Sequence, residues 1–265
     1  MQKLYIVIIF LFFSKLSAAE FKGDFKQGSF ILGKTVPGTK VWIDKKKVRV
    51  SNDGYFAFGI GRDRKYDVVI TFKKDGFSKE IVKKVLKRKY NNQTIDGLPE
   101  KKVTPPEEVY KRIKKENKLI LDARNINTNL SFFKENFILP VKNSIITGVY
   151  GSQRILNGKP KWPHYGLDFA AKEGTEIMAM LDGVVTLAEP DLFYTGGTLI
   201  FDHGHGISTV YMHMQKLMVK KGQKVRQGDI IGTIGSTGRA TGAHLDVRLN
   251  WFQIRLDPAT ALPEQ

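Results

Sequence analysis

The chain has 265 residues, of which 42% are hydrophobic and 26% charged, and it carries a formal net charge of +17. This length allows one or two globular domains with a sizeable core. The absence of cysteine excludes disulfides, cysteine-based zinc sites and thiol catalysis. The charge predicts an anionic partner, either nucleic acid or an anionic membrane or envelope surface, unless it only reflects a solvated lysine-rich surface.

The first residues, MQKLYIVIIFLFFSKLSAAE, favour export. Lys3 precedes an apolar run from Leu4 to Phe13, and small residues end at Ala19, which is typical of a secretory signal peptide over residues 1–19. The run is short for a transmembrane helix, although an uncleaved anchor is the alternative. We therefore expect a protein of the periplasm or cell envelope, with a Gram-negative periplasm favoured, and no nucleic-acid partner.

Residues 20–103 predict a small N-terminal β-sandwich domain. Short runs such as SFILGKTV, KVWI, YFAFGI and YDVVITF alternate with turn residues, among them Pro37-Gly38 and Asn52-Asp53-Gly54. This spacing is typical of antiparallel strands joined by tight turns. The region contains no histidine and no catalytic cluster.

Residues 104–137 predict a helical linker. Thr104 is a candidate N-cap, and the prolines and glutamates that follow it suit a first helical turn. The segment EEVYKRIKKENKLILDAR then predicts an exposed helix that ends near Asn125.

Residues 138–265 predict a second β domain, so the fold class is mainly β. The segments TEIMAMLDGVVTLAE and GGTLIFDHGHGISTVYMHM each predict a hairpin. In GAHLDVRLNW, apolar residues alternate with His244, Asp246 and Arg248, as in a strand with one buried face. All five histidines of the chain lie in this half, which indicates a site.

Three segments of this half offer side chains that bind metals or transfer protons. His164 and Asp168 are four residues apart, and such positions share a face if they lie on one strand. Tyr211 and His213 likewise share a predicted strand face, and His244 and Asp246 form the third pair. Imidazole and carboxylate are both good zinc ligands.

The order of these motifs resembles the lysostaphin-type, or LytM-like, zinc metallopeptidases, which cut peptides of bacterial peptidoglycan. The matching stretches are PHYGLDFAAKEGTEIMAMLDGVV, IFDHGHGISTVYMHM, VKKGQKVRQGDIIGTIGSTGRATGAHLDVRL and LDPATAL, which together cover about residue 138 to the end. Residues 37–62 also resemble the β domain that precedes the catalytic domain in some exported relatives.

The resemblance implies one zinc ion per catalytic domain. It assigns His164 and Asp168 as zinc ligands and places His213 and His244 as catalytic histidines beside the ion. The third ligand is normally a histidine, but here Asp246 stands at that position. A second carboxylate makes the centre more neutral and a weaker Lewis acid, and it shifts preference toward harder ions such as Mn²⁺.

Structural alternatives remain for several of these residues. Asp246 could pair with Arg248 and hold no metal, and Tyr211 could be either a core residue or a hydrogen-bond donor to the transition state. His203 and His205 flank a glycine and suit a turn, while Arg239 could contact an acidic substrate. The VKKGQKVRQGDIIGTIG segment also resembles biotinyl and lipoyl carriers, but that alternative leaves the histidines unexplained.

The sequence thus predicts an exported zinc endopeptidase that cleaves peptidoglycan during cell-wall remodelling. The alternative is a weakly active or inactive LytM-like module that binds peptidoglycan or activates another wall hydrolase, such as a cell-wall amidase. Four of the five site positions match the family pattern, and the fifth keeps a group able to bind a metal, which favours the enzyme.

Overall fold

The computed structural model describes residues 19–263, and the protein is mainly β, as predicted. The predicted signal peptide, apart from Ala19, lies outside the described residues. No helix within the described range has the length and apolar character needed to cross a membrane.

The N-terminal region is a small β-sandwich, as predicted. The strands of this region are β1 (Glu20–Lys22), β2 (Phe30–Lys34), β3 (Lys40–Ile43), β4 (Lys46–Val48), β5 (Tyr55–Gly59), β6 (Val68–Lys74), β7 (Phe77–Lys83) and β8 (Asn92–Ile95). One antiparallel sheet has the strand order β1-β2-β5 and the other β4-β3-β6-β7. Phe56 and Phe72, one from each sheet, are buried and pack edge to face with ring centroids 6.1 Å apart.

Two helices follow, α1 (Glu100–Val103) and α2 (Tyr110–Arg124). Helix α2 ends at Arg124 with Asn125 as its C-cap, close to the predicted end, but the prediction that Thr104 caps its N-terminus is wrong. Thr104 instead terminates α1, and a 3₁₀ turn at Glu107–Val109 leads into α2. The physical reason is that Pro105 is itself followed by Pro106, and a residue that precedes proline is disfavoured in helical conformation, so the first helical turn begins only after Pro106.

One side of α2 is packed, so the helix is less exposed than predicted. Ala123 is buried, and Leu119 and Ile120 pack with it against a cluster that includes Leu187 and Met212. The opposite side stays open, and Leu121 is 44% exposed. The helix therefore attaches the linker to the C-terminal sheet.

The described part of the C-terminal region contains twelve strands: β9 (Ile145–Gly148), β10 (Gln153–Leu156), β11 (Lys159–Pro160), β12 (Leu167–Ala170), β13 (Glu176–Met178), β14 (Gly183–Leu192), β15 (Gly196–Gly204), β16 (Ile207–Leu217), β17 (Lys224–Val225), β18 (Ile230–Ile234), β19 (His244–Trp251) and β20 (Ile254–Leu256). Ten of them form one sheet whose main path is β17-β14-β15-β16-β19-β12-β9. Strands β10 and β11 stand apart from this sheet: β10 pairs with β8 of the N-terminal region on one side and with β11 on the other.

The two predicted hairpins have different outcomes. Strands β15 and β16 pair as an antiparallel hairpin, as predicted. The hairpin predicted from TEIMAMLDGVVTLAE is wrong, because β13 pairs with β18 while β14 pairs with β15 and β17. The N–H groups of Met178 and Ala179 donate to the carbonyls of Pro140 and Asp229, which carries the chain away from a tight turn.

Strand β19 positions the candidate site. Leu245, Val247 and Leu249 are buried in the main hydrophobic core, as the alternation predicts. The alternate face carries His244, Asp246 and Arg248. Strands β12 and β16 pair with β19 on its two sides, so the polar face lies in the middle of the sheet.

Candidate metal centre

Two carboxylates lie directly opposite each other on paired strands. The register of β12 against β19 places Asp168 across from Asp246, and both side chains are buried. Like charges in this arrangement repel, so the pair needs positive charge nearby. A histidine and two arginines lie close enough to supply this positive charge, and a metal ion could supply more.

His164 joins the two carboxylates from the loop that precedes β12, rather than from a strand as predicted. Its Nε2 lies 3.1 Å from Asp168 Oδ1 and 3.4 Å from Asp246 Oδ2. Its Nδ1 lies 3.3 Å from the carbonyl of Val149, an arrangement that places the ring hydrogen on Nδ1 when the ring is neutral. Burial lowers the pKa of His164, but the two carboxylates outweigh it and the pKa is raised.

The three side chains fit a metal ion. Their candidate ligand atoms all lie within 4.8 Å of one another. Zinc bonds of about 2.0–2.2 Å in a tetrahedron separate neighbouring ligand atoms by about 3.3–3.6 Å, close to the two distances from His164 Nε2. While the His164 ring hydrogen is on Nδ1, the buried Asp168 Oδ1 receives no hydrogen bond within the described part of the chain, so it is free to bind a cation. The cluster could therefore hold a metal.

An arginine contacts each carboxylate. Arg154 Nη2 donates to Asp168 Oδ2 at 3.0 Å. Arg248 donates to both oxygens of Asp246, from Nη2 to Oδ2 at 3.1 Å and from Nε to Oδ1 at 3.4 Å. Burial alone would raise the pKa of Asp246, but Arg248 and His164 hold it well below its usual range. Asp246 thus lies close both to His164, its predicted co-ligand, and to Arg248, its predicted ion-pair partner.

A glycine beside each carboxylate makes room for it. A Cβ added at Gly148, on β9, would overlap the carboxylate of Asp168, and one at Gly166 would overlap that of Asp246. Neither glycine has a positive φ, so the requirement is space and not backbone conformation. The close approach brings the two acidic side chains into the cluster.

His213 and His244 form a pair beside the cluster, with ring centroids 4.8 Å apart. His213 Nδ1 donates to the Thr237 carbonyl at 2.8 Å and His244 Nδ1 to the Gly242 carbonyl at 2.9 Å. Each ring therefore has Nε2 available as a proton acceptor. Burial and the neighbouring His244 lower the pKa of His213 to about 4, so this ring is neutral at pH 7.

The prediction that Tyr211 and His213 share a strand face is wrong. His213 has a left-handed backbone with φ of 64°, which interrupts the alternation of β16. Tyr211 is 1% exposed in the main core, where its hydroxyl accepts a hydrogen bond from the Met180 N–H at 2.9 Å. Of its two predicted roles, the structure places it in core packing.

The remaining histidines serve the fold. His203 is fully buried and bonds the Asp182 carbonyl at 2.7 Å and Thr209 Oγ1 at 2.8 Å. His205 lies in the β15–β16 turn with φ of 53°, as predicted, but the turn position predicted for His203 is wrong, because this residue lies within β15. Burial lowers the pKa of each to about 4.

Residues 98–102, just before the predicted linker, contact loops near the site. Asn157, in the β10–β11 turn, bonds the backbone of Leu98, and Lys102 Nζ donates to the Phe193 carbonyl at 2.5 Å. Arg239, predicted as a substrate contact, lies 3.5 Å from the Lys102 carbonyl. The segment from Leu98 to Lys102 therefore touches three loops around the metal centre.

Sequence reasoning missed Arg154 and the two glycines. Arg154 is on β10, 14 residues before Asp168, and nothing in its own pattern distinguishes it from the many other basic residues. Gly166 was noted only as an argument against a helix. Glycine within a strand often marks a close approach, which is a signal for Gly148 on β9, whereas Gly166 lies in the bend just before β12.

Comparison with known proteins adds family information to this geometry. Residues 162–258 match the model of Peptidase family M23. Peptidoglycan DD-endopeptidase ShyA of Vibrio cholerae is 45% identical over 110 residues, which cover 39% of this chain and 25% of ShyA. DD-carboxypeptidase/endopeptidase Mpg of Neisseria meningitidis is 40% identical over 89 residues, 33% of this chain and 20% of Mpg. The chain thus matches about a quarter or less of the length of these relatives.

One solved structure is similar over nearly the whole chain. It is a Pseudomonas aeruginosa protein assigned to peptidase M23, with 26% identity and a TM-score of 0.68. The likeness covers 89% of this chain and 94% of that protein. It therefore extends beyond the family match to the N-terminal sandwich and the linker.

Proposed function

We propose that this chain, whose residues 162–258 form a domain of Peptidase family M23, is an exported zinc-dependent endopeptidase that cleaves peptide bonds in peptidoglycan. The observation that carries the proposal is the convergence of His164, Asp168 and Asp246 within 4.8 Å beside the His213–His244 pair. The relatives named peptidoglycan DD-endopeptidases support peptidoglycan as the substrate and its DD cross-links as the bonds cleaved.

His164, Asp168 and Asp246 would hold the metal. Zinc bound there would supply Lewis-acid chemistry, that is, polarisation of the scissile carbonyl and acidification of a water molecule. Two carboxylates among three ligands also suit a harder ion such as Mn²⁺, so both ions belong in the test.

The histidine pair would move the proton. His213 is neutral at pH 7 and has its Nδ1 hydrogen bonded to Thr237, so its Nε2 can accept a proton from an attacking water. His244 is partly exposed at the start of β19 and can donate from Nε2 to a developing oxyanion once protonated. The hydrogen bonds through Nδ1 orient both rings before substrate arrives.

The proposal includes the place of action. The predicted signal peptide and the formal net charge of +17 support a protein of the periplasm or cell envelope, where peptidoglycan and anionic membrane surfaces are available.

One observation favours the alternative of an inactive module that binds peptidoglycan or activates an amidase. Arg248 engages both oxygens of Asp246, so this carboxylate is neutralised without a metal. Such a module would retain binding to the cell wall and lose metal-dependent cleavage.

The test is muropeptide release from purified peptidoglycan by the chain, after chelator treatment and after addition of Zn²⁺ or Mn²⁺. We expect release that chelator abolishes and metal restores, and that Asp246→Ala removes. Asp191→Asn, at an 81% exposed side chain, is the control and should retain activity. Binding to sacculi without release under either metal would refute the enzyme and support the module.

A further inference from the structure

A second concave site lies where the N-terminal sandwich, the linker and the C-terminal region meet. This junction cavity has a volume of about 540 Å³, within the range of roughly 300–1,000 Å³ typical of small-molecule sites. Residues 38–52 form most of its wall, the linker adds Asn127 and Asn129, and the C-terminal region adds His205 and Phe252.

The junction cavity is separate from the metal centre. Strands β16 and β19 connect the two sites, with Met212 opposite Asp246 at one end and Ile207 opposite Trp251 at the other. Phe252 is six residues beyond Asp246, which corresponds to about 20 Å along a strand. A ligand in the cavity therefore does not touch the groups proposed for peptide cleavage.

The cavity is lined by positive charge alone. Its ionised side chains are Lys40, Lys46, Lys47 and Arg49, and no Asp or Glu of the described residues lines it. None of the four forms an ion pair with any residue between 19 and 263. Clustered charge of one sign on a concave surface concentrates ions of the opposite sign.

The acidic residues closest in sequence to these four basic residues are already paired with other cations. Asp44 accepts hydrogen bonds from Arg64 at 2.5 and 3.0 Å, and Asp53 accepts one from Lys134 at 2.8 Å. These carboxylates are therefore committed to other cations. The positive charge of the cavity remains available to a ligand.

Two of the basic side chains are held in place by neutral or aromatic groups. Arg49 donates from Nε to Asn127 Oδ1 at 2.8 Å and from Nη1 to Asn129 Oδ1 at 2.5 Å. These amide oxygens orient the guanidinium without cancelling its charge, and Nη2 makes no side-chain bond among the described residues. Lys46 Nζ lies 4.0 Å from the centre of the Phe252 ring, and burial lowers the pKa of Lys46.

We infer that the junction cavity binds a small anion that carries at least two negative charges as phosphate or carboxylate groups. The size of the cavity sets the size of the ligand, and the four basic side chains set its charge. Because the walls come from both the N-terminal and the C-terminal regions, the bound anion stabilises their association.

The inference is tested by calorimetric titration of the full chain with pyrophosphate and, separately, with citrate at low ionic strength. Stronger binding of pyrophosphate identifies phosphate chemistry, and stronger binding of citrate identifies carboxylate chemistry. The cavity variant carries Lys46→Gln and Lys47→Gln, and the matched control carries Lys79→Gln and Lys84→Gln. All four lysines are exposed, and both variants lose two positive charges.

We expect saturable binding by the native chain and the control, and a loss of at least about tenfold in the cavity variant. The bound anion should also raise the melting temperature of the native chain and the control, but not that of the cavity variant. An equal loss in both variants, or no saturable binding of either anion by the native chain, would overturn the inference.

Discussion

The two carboxylates of the candidate metal centre have similar surroundings but different partners. Asp168 and Asp246 face each other across paired strands, and each lies against a glycine. Arg154 contacts Oδ2 of Asp168 and leaves Oδ1, which lies 3.1 Å from His164 Nε2, without an arginine partner. Arg248 contacts both oxygens of Asp246.

This difference assigns different tasks to the two arginines. Arg154 orients Asp168 from a separate strand, and its contact is compatible with a cation on the other oxygen. Arg248 belongs to the same strand as Asp246 and takes both oxygens, so it competes with a metal for that carboxylate. The substitution of aspartate for the expected histidine thus brings an arginine partner that a neutral imidazole would not attract.

The largest expected effect follows the loss of a candidate ligand carboxylate. Asp168→Asn should reduce zinc affinity by at least about 100-fold, because it removes a ligand charge and leaves Arg154 unpaired beside the ion. Asp246→Asn should cost less, since Arg248 already neutralises that carboxylate. Isothermal titration of each variant with zinc, with Asp191→Asn as control, measures the difference. Equal losses of zinc affinity at the two positions would mean that Arg248 does not weaken the contribution of Asp246 to metal binding.

A smaller effect of opposite sign is expected from the arginines. Arg248→Gln frees Asp246 and removes a positive charge near the ion, so zinc should bind about tenfold more tightly, or about 1.4 kcal/mol. Arg154→Gln should change affinity less, because Asp168 already has a free oxygen. The same zinc titration, applied to the two arginine variants, measures both changes in affinity. Weaker zinc binding by Arg248→Gln would mean that Arg248 positions Asp246 for the metal and does not compete for it.

The sequence predicted the parts of this centre that depend on local pattern. Alternation placed Leu245 and Val247 in the core and Asp246 on the polar face, and the motif spacing brought His164 to Asp168. It could not predict Arg154, because that contact depends on how β10 packs beside the sheet. It also misplaced Tyr211, because the left-handed residue at His213 changes the face of the strand and has no signal in a histidine.

The fold likewise has features that local sequence pattern predicts and features that it does not. The mainly β architecture followed from short alternating runs and turns, whereas the partners of β13 are set by long-range packing that no local pattern encodes. The domain boundaries at residues 103 and 137 and the export of the chain stay predictions. Strand β8, within the predicted first domain, pairs with β10 of the second, so the two regions share hydrogen bonds.

The smallest expected effect concerns the proton on His164 in the metal-free protein. Burial lowers the pKa of His164, and Asp246 and Asp168 together raise it above the ordinary value of 6.5. This interaction stabilises the fold fully below pH 6.5, and the stabilisation is lost as pH rises through the folded pKa. Because the proton occupies the nitrogen that would bind the ion, zinc affinity should increase over the same rise in pH.

The two carboxylates should contribute unequally to this pKa. The charge of Asp246 is the largest of the influences that raise it, so Asp246→Asn should lower the pKa of His164 more than Asp168→Asn does. Proton NMR titration of the His164 ring in the metal-free variants measures both shifts. A larger shift in Asp168→Asn would mean that Arg248 screens Asp246 from His164 as effectively as from a metal, and that the ion pair dominates the behaviour of this carboxylate.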